Sequence, residues 1–190
     1  ISHVSDAAFY QALEISQTPV IASHSSLRAF TPGFERNMDD DMIKALGKNG
    51  GVIQINFGST FVTKRANAWS KKRSAGQKAA EEKFGKDSEE YKSFRDQFAE
   101  ENPLPYATLD SVLDHIDHVV KLIGIDHVGI GSDYDGVGDS LPTDLKDVST
   151  YPNLIQGLIN RGYNDAHIIQ ILSGNFMRVW KANEEYAAKH

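Results

Sequence analysis

Pro19-Val20-Ile21-Ala22-Ser23-His24-Ser25 is a short apolar run that turns polar at its end. It is too short for a buried helix and starts on β-branched residues, so it reads as a buried strand. Two stretches repeat the pattern, Gly51-Val52-Ile53-Gln54-Ile55-Asn56-Phe57 and His127-Val128-Gly129-Ile130-Gly131-Ser132-Asp133. Each is preceded by a helical pattern. Residues 5–16 place apolar side chains at helical spacing behind Ser5 and Asp6, which are suitable N-caps. Asp39 to Asp41 open a second helix that ends near Gly47–Gly51. Thr108-Leu109-Asp110 opens the clearest helix, with Val112, Leu113, Ile116, Val119, Val120 and Ile123 on one side and Gly124 as its stop.

Strands that alternate with helices in this way imply a parallel sheet. Three strands, with a fourth strand stub at Ile1–Ser5, amount to about half of a (β/α)₈ TIM barrel, an α/β fold that typically takes ~250 residues. A doubly wound sheet is the alternative. Residues 58–106 break the alternation. From Lys64 onward they are rich in Lys, Glu, Gln and Ala, and they read as a solvated helical insert of two helices, with an active-site lid as the minor alternative. The C-terminal tail is helical at 151–161, 164–172 and 174–187, with Asn164 and Asn175 as expected caps.

Composition narrows the function classes. The chain has 190 residues, enough for one domain, 1–190, with a real core. Its net charge of −6 lacks the basic footprint of a nucleic-acid partner. No apolar run approaches the ~20 residues of a membrane span, and no signal-peptide pattern is seen. Cysteine is absent, so any metal would be held by His, Asp or Glu. There is no Gly-rich phosphate loop and no Gly-x-Ser-x-Gly elbow.

In barrel enzymes catalysis sits at the C-terminal ends of the strands. Here those ends carry His3, His24, Asn56 and Asp133. Imidazoles on adjacent strands can converge on one metal ion, although a hydrogen-bonded His is the default reading for either. Asp133 suits a ligand or a general base, and Asp135 a turn role. Arg36, beyond a Pro-Gly loop, could clamp a carboxylate in two-point fashion. His115 and His118, interleaved with Asp114 and Asp117, read as a solvated helix face. His127 lies at the far end of its strand, and His167 and His190 read as surface residues.

Taken together, Ser2-His3-Val4-Ser5, Pro19 to Ser26, Arg36-Asn37, Asp114-His115-Ile116-Asp117-His118, Gly129 to Gly136 and Gly174-Asn175-Phe176-Met177-Arg178-Val179 resemble, in order, the second half of the membrane (renal) dipeptidase family. That family has a (β/α)₈ barrel and two zinc ions. The resemblance implies that this chain is the C-terminal half of the barrel, strands 5–8, with the N-terminal half absent from it or supplied by a companion chain. It implies metal-dependent hydrolysis of dipeptides with broad side-chain tolerance, by a zinc-activated water. His3 and His24 match the two histidines on one zinc. Arg36 matches the substrate-binding arginine, in a loop one residue longer here. Asp133 matches an aspartate that contacts substrate and helps proton transfer. The family's His-x-Asp pair and bridging Glu have no counterpart in this chain, so weak metal binding and poor activity are expected of it alone. A homodimer is compatible with the resemblance, as are cytoplasmic and exported locations. Another amidohydrolase-type barrel hydrolase and a non-catalytic fragment are the alternatives.

Overall fold

A computed structural model describes residues 1–190. It contains a parallel sheet of three strands in the order β1 (Ile21–Ser25), β2 (Val52–Ile55) and β3 (Val128–Ile130). The ladder runs on past the strand ends: Asn56 N donates to Ser25 O (2.8 Å), Gly131 N to Ile55 O (3.1 Å) and Phe57 N to Ser132 O (3.2 Å). These bonds gather the polar ends of all three strands at one edge of the sheet.

The central strand is buried along its whole length, as expected where both faces of a parallel sheet are covered. The connection from β1 to β2 is α2 (Asp40–Asn49), capped by Asp39, whose carboxylate accepts from Met42 N. Gly50 ends α2 at φ +79°, a left-handed cap that glycine adopts without steric penalty. α6 (Leu109–Ile123) leads into β3 and buries Val112, Leu113, Ile116 and Val119. These join Ile43, Leu46, Ile53, Ile55, Phe57, Leu154 and Leu158 in a single core. α1 (Asp6–Ile15) lies before β1 and packs on α2.

The insert forms a short helix, α3 (Ser59–Val62), and then a hairpin of α4 (Lys64–Phe84) and α5 (Glu89–Glu101). Trp69, Phe94 and Phe98 hold the hairpin together, and Trp69 Nε1 donates to Asn102 O at 2.7 Å. The tail comprises α7 (Tyr151–Asn160), α8 (Asp165–Ile169) and α9 (Asn175–Ala187). No helix is long and apolar enough to cross a membrane.

Three expectations are corrected. The stub at Ile1–Ser5 is a turn and not a fourth strand: His3 has φ +41°, which interrupts extended backbone, and its neighbour Ser2 meets β1 through its side chain, with His24 N donating to Ser2 Oγ at 2.9 Å. Asn175 caps nothing. A π turn at Gln170–Gly174 carries α8 into α9, and Asn175 donates inward to Ile125 O and Val128 O (2.7 and 2.8 Å). Asn164 does cap α8.

The third concerns His115, which lies on no solvated face. It is fully buried, with Nδ1 accepting from Leu27 N (3.1 Å) and Nε2 facing Val62 O (3.0 Å). The helical period, read with its aspartates outward, turns His115 into the core. Asp114 and Asp117 do face outward, where Arg161 bridges them to Asp110, and His118 bonds Asp40 at 2.8 Å.

Candidate active site

His24 stands on β1 and His3 in the turn beside it. Their Nε2 atoms are 2.9 Å apart, with ring centroids at 4.9 Å. Two imidazole lone pairs do not face each other at this distance without a proton or a cation between them. His24 Nδ1 lies 2.9 Å from Ser23 Oγ. With the proton on Nδ1 donated to that hydroxyl, Nε2 is left as an electron-pair donor, the form a metal-bound imidazole takes. Burial holds His24 below the ordinary imidazole value; Asp133 acts in the opposite sense, while Arg36 and His3 add to the lowering. The neutral, ligating form is thereby favoured.

The donor set fits a zinc-like ion as two of its ligands. Two nitrogens on one tetrahedral zinc stand about 3.3 Å apart, so the rings need to separate by only a few tenths of an ångström. No third His, Asp or Glu joins them within this chain.

Arg36 is held by its neighbours. Arg28 pairs with Asp6 through both terminal nitrogens (2.8 and 2.9 Å), reaches Asp39 (3.3 Å), and donates to the carbonyls of Glu35 and Asn37 on either side of Arg36. Asn37 is fully buried and donates to Thr31 Oγ1 and Phe61 O. The Arg36 guanidinium consequently lies over the Phe61 ring, 3.9 Å from its centroid. Its Nη1 is buried without a hydrogen-bond partner. Burial weakens its hold on the proton while Asp133 strengthens it, but a guanidinium stays charged regardless. A half-buried cation with one buried, unused donor is suited to an anionic group that arrives from outside.

Asp133 follows β3 at φ +61°. His3 and Asp133 are the only residues other than glycine with positive φ. Asn56, fully buried at the end of β2, donates to Asp133 Oδ2 (2.7 Å) and accepts from Gly58 N (2.7 Å). A Cβ on Gly136 would collide with Asp133 Oδ1, so the carboxylate sits between an amide donor and a bare glycine. Asp135 is exposed, in the turn that Gly136 N closes onto Asp133 O.

The four residues singled out in the sequence therefore gather at one sheet edge: the two imidazoles in direct contact, with Arg36 and Asp133 acting on His24 and on each other through their charges. Asn56 was visible in the sequence as a polar strand end, but with no role. Phe61 carried no signal, because it contributes by touching a residue distant in sequence, while the roles of Ser23 and Gly136 depend on side-chain orientation that the sequence does not show. The site offers two convergent nitrogen donors, a fixed cation and a fixed carboxylate, a set suited to holding a metal and an anionic substrate together.

The sequence model of a family described as membrane dipeptidase (peptidase family M19) matches residues 1–190. The chain is 37% identical over 185 residues to an uncharacterised dipeptidase of Schizosaccharomyces pombe, covering 97% of this chain and 35% of that protein. It is 31% identical over 189 residues to dipeptidase 3 of Mus musculus, covering 100% of this chain and 30% of that protein. The chain thus spans about a third of the length of the curated relatives it matches. Among solved structures it is similar to the probable dipeptidase PvdM from Pseudomonas aeruginosa, at 31% identity and a TM-score of 0.78, over 96% of this chain and 49% of that one. A metallo peptidase from Rhodobacter sphaeroides, liganded with a phosphinate mimic of L-Ala-D-Ala, shares the fold at 24% identity and a TM-score of 0.70, over 95% of this chain and 41% of that one.

Proposed function

We propose, from the premise that this chain belongs to the membrane dipeptidase family (peptidase family M19), that it carries part of the active site of a zinc-dependent dipeptidase. In this reading residues 1–190 supply strands 5–8 of a (β/α)₈ barrel. The remaining strands, and the remaining ligands of a two-zinc site, come from an N-terminal half or a companion chain. The observation that carries the reading is the His3–His24 pair, 2.9 Å between Nε2 atoms, beside a half-buried arginine with an unused donor.

His3 and His24 would hold one zinc, with Ser23 fixing the His24 ring. The bound metal supplies an acidified water and a polarised carbonyl. Arg36 binds the dipeptide's carboxylate or takes up charge on the carbonyl oxygen as it develops. Asp133, oriented by Asn56, orients the other end of the substrate and accepts or relays a proton at its carboxylate. Side-chain tolerance is broad because these four groups address the ends and the scissile amide, which all dipeptides share. The substrate is a dipeptide and no nucleic acid takes part; the chain's net charge of −6 agrees with that.

The test is calorimetric titration of zinc into the 190-residue chain, the His3→Ala variant and the His24→Ala variant, followed by dipeptide hydrolysis assays. The expected results are weak zinc binding that either substitution lowers at least tenfold, and little hydrolysis until the missing ligands are supplied. Unchanged zinc affinity in both variants would remove the metal assignment, and vigorous hydrolysis by the 190-residue chain alone would remove the half-site assignment.

A further inference from the structure

The insert does more than cover surface. Between its helices α3, α4 and α5 and the loop 136–140 lies a groove of about 660 Å³. Its inner end is built from the neighbours of the candidate site: Phe61, on which the Arg36 guanidinium rests, and Gly136, against which the Asp133 carboxylate lies. Glycine at position 58 keeps this junction close, since a Cβ there would meet Phe61 at 2.8 Å and Val137 at 3.0 Å. A molecule held by Arg36 and Asp133 therefore has this groove directly beside it.

The groove walls are partly aromatic, from Trp69 and Phe98, and two arginines border it, Arg73 on α4 and Arg95 on α5. Neither arginine is ion-paired, although the chain carries 26 acidic residues against 20 basic ones. Two acids also line the groove. Asp139 is already engaged by Lys146 (2.8 Å) and by Tyr106 Oη (2.7 Å). Asp96, next to Arg95 in sequence, is exposed like both arginines. With Asp139 set against Lys146, two arginines face the groove against the one acid Asp96, a net charge of plus one. Guanidinium groups suit carboxylates through paired N–H donors, and aromatic walls suit the methylene stem of a long side chain.

We propose that this groove is a side-chain subsite that selects dipeptides carrying an acidic residue, glutamyl above all. The inference rests on the dipeptidase reading for the identity of the ligand, while the groove itself lies wholly within this chain. Binding of Ala-Glu and Glu-Ala is compared by calorimetry with that of Ala-Gln and Gln-Ala, using the full 190-residue chain, the double variant Arg73→Gln/Arg95→Gln and the variant Arg36→Ala. At least one acidic dipeptide is expected to bind at least tenfold more tightly than its amide counterpart. In the double variant that preference should shrink to within twofold, with affinity for the amide dipeptides unchanged and the melting temperature preserved. Arg36→Ala should weaken acidic and amide dipeptides alike. Equal binding of acid and amide by the native chain, survival of the preference in the double variant, or no binding at all would overturn the subsite. Loss of acidic preference alone leaves the dipeptide reading standing, whereas an acidic preference untouched by Arg36→Ala counts against that reading and not against the groove.

Discussion

Replacing His115 by Leu should change how stability depends on pH more than any surface substitution does. His115 is fully buried and accepts from Leu27 N, faces Val62 O, and lies against the Phe30 ring at 4.4 Å between centroids. Its neutral form matches these partners: Nδ1 is the acceptor and Nε2–H the donor. Protonation would place a second N–H against the Leu27 amide, inside the core. Burial therefore lowers its pKa from 6.5 to about 4, against a smaller opposing effect of the Val62 carbonyl. Above pH 6.5 neither the folded nor the unfolded chain protonates this ring, and it contributes no pH dependence. Between 6.5 and about 4 the unfolded chain binds the proton and the folded chain refuses it, so stability falls as pH falls through that window. At about 1.4 kcal/mol per pH unit, the full interval removes about 3 kcal/mol, a large share of a marginal stability. At pH 7.5 the leucine variant leaves one buried amide and one buried carbonyl unpaired, which destabilises by roughly 1–3 kcal/mol for each group. Urea unfolding followed by circular dichroism at pH 7.5, 6.5, 5.5 and 4.5 separates the two effects. The native chain should lose stability across the series, and the variant should start lower and decline about 2.5 kcal/mol less, since the series stops at pH 4.5. Parallel declines in the two proteins would refute the assignment of the acid sensitivity to His115.

Three further substitutions probe the site and its frame. Asn56→Leu removes both the donor to Asp133 and the acceptor of Gly58 N; about 2 kcal/mol of stability should be lost in urea unfolding, and a loss under 0.5 kcal/mol would deny Asn56 its bracing role. Gly131→Ala drives a Cβ into the Ser23 carbonyl beside His24, which should lower stability by about 2–3 kcal/mol, read as a fall in melting temperature. Arg161→Ala frees three aspartates on α6, yet these pairs are solvent-screened, so the loss should stay near 1 kcal/mol and vanish in high salt.

Much of the frame was legible because it rests on local rules. The apolar runs ending in His24, Asn56 and Asp133 became the three strands, and Ser5, Asp39 and Asn164 became caps, since caps and strand runs depend on a few adjacent residues. The failures came where distant contacts override local pattern. His115 follows an aspartate and precedes an isoleucine, and nothing within its helix says that Leu27 and Val62 will meet its two nitrogens. Arg28 has no partner within reach of a local pattern, but it fixes the loop that presents Arg36 by binding two carboxylates and two carbonyls. The insert was read as a surface from its charge, which is right for most of its outer face. The groove it forms depends on how α4 and α5 close against the loop after β3, and no window of sequence contains both.

The backbone offers a second argument about the site. Left-handed φ at a residue with a Cβ costs of order 1–3 kcal/mol and persists where surrounding structure over-determines it. His3 and Asp133 are the two such residues here, and both had been picked out as chemistry-bearing on other grounds. Each is braced from several sides: His3 by the His24 ring and by its neighbour Ser2, whose hydroxyl accepts from His24 N, Asp133 by Asn56, by the turn to Gly136 and by the ladder bond from Phe57 N to Ser132 O. Glycine alone removes that cost, and aspartate and histidine are among the residues that tolerate it best. Retaining an imidazole and a carboxylate there supports a role at the reacting centre. It also explains why one neighbouring position is constrained: Gly136 must stay bare for the Asp133 carboxylate to hold its place.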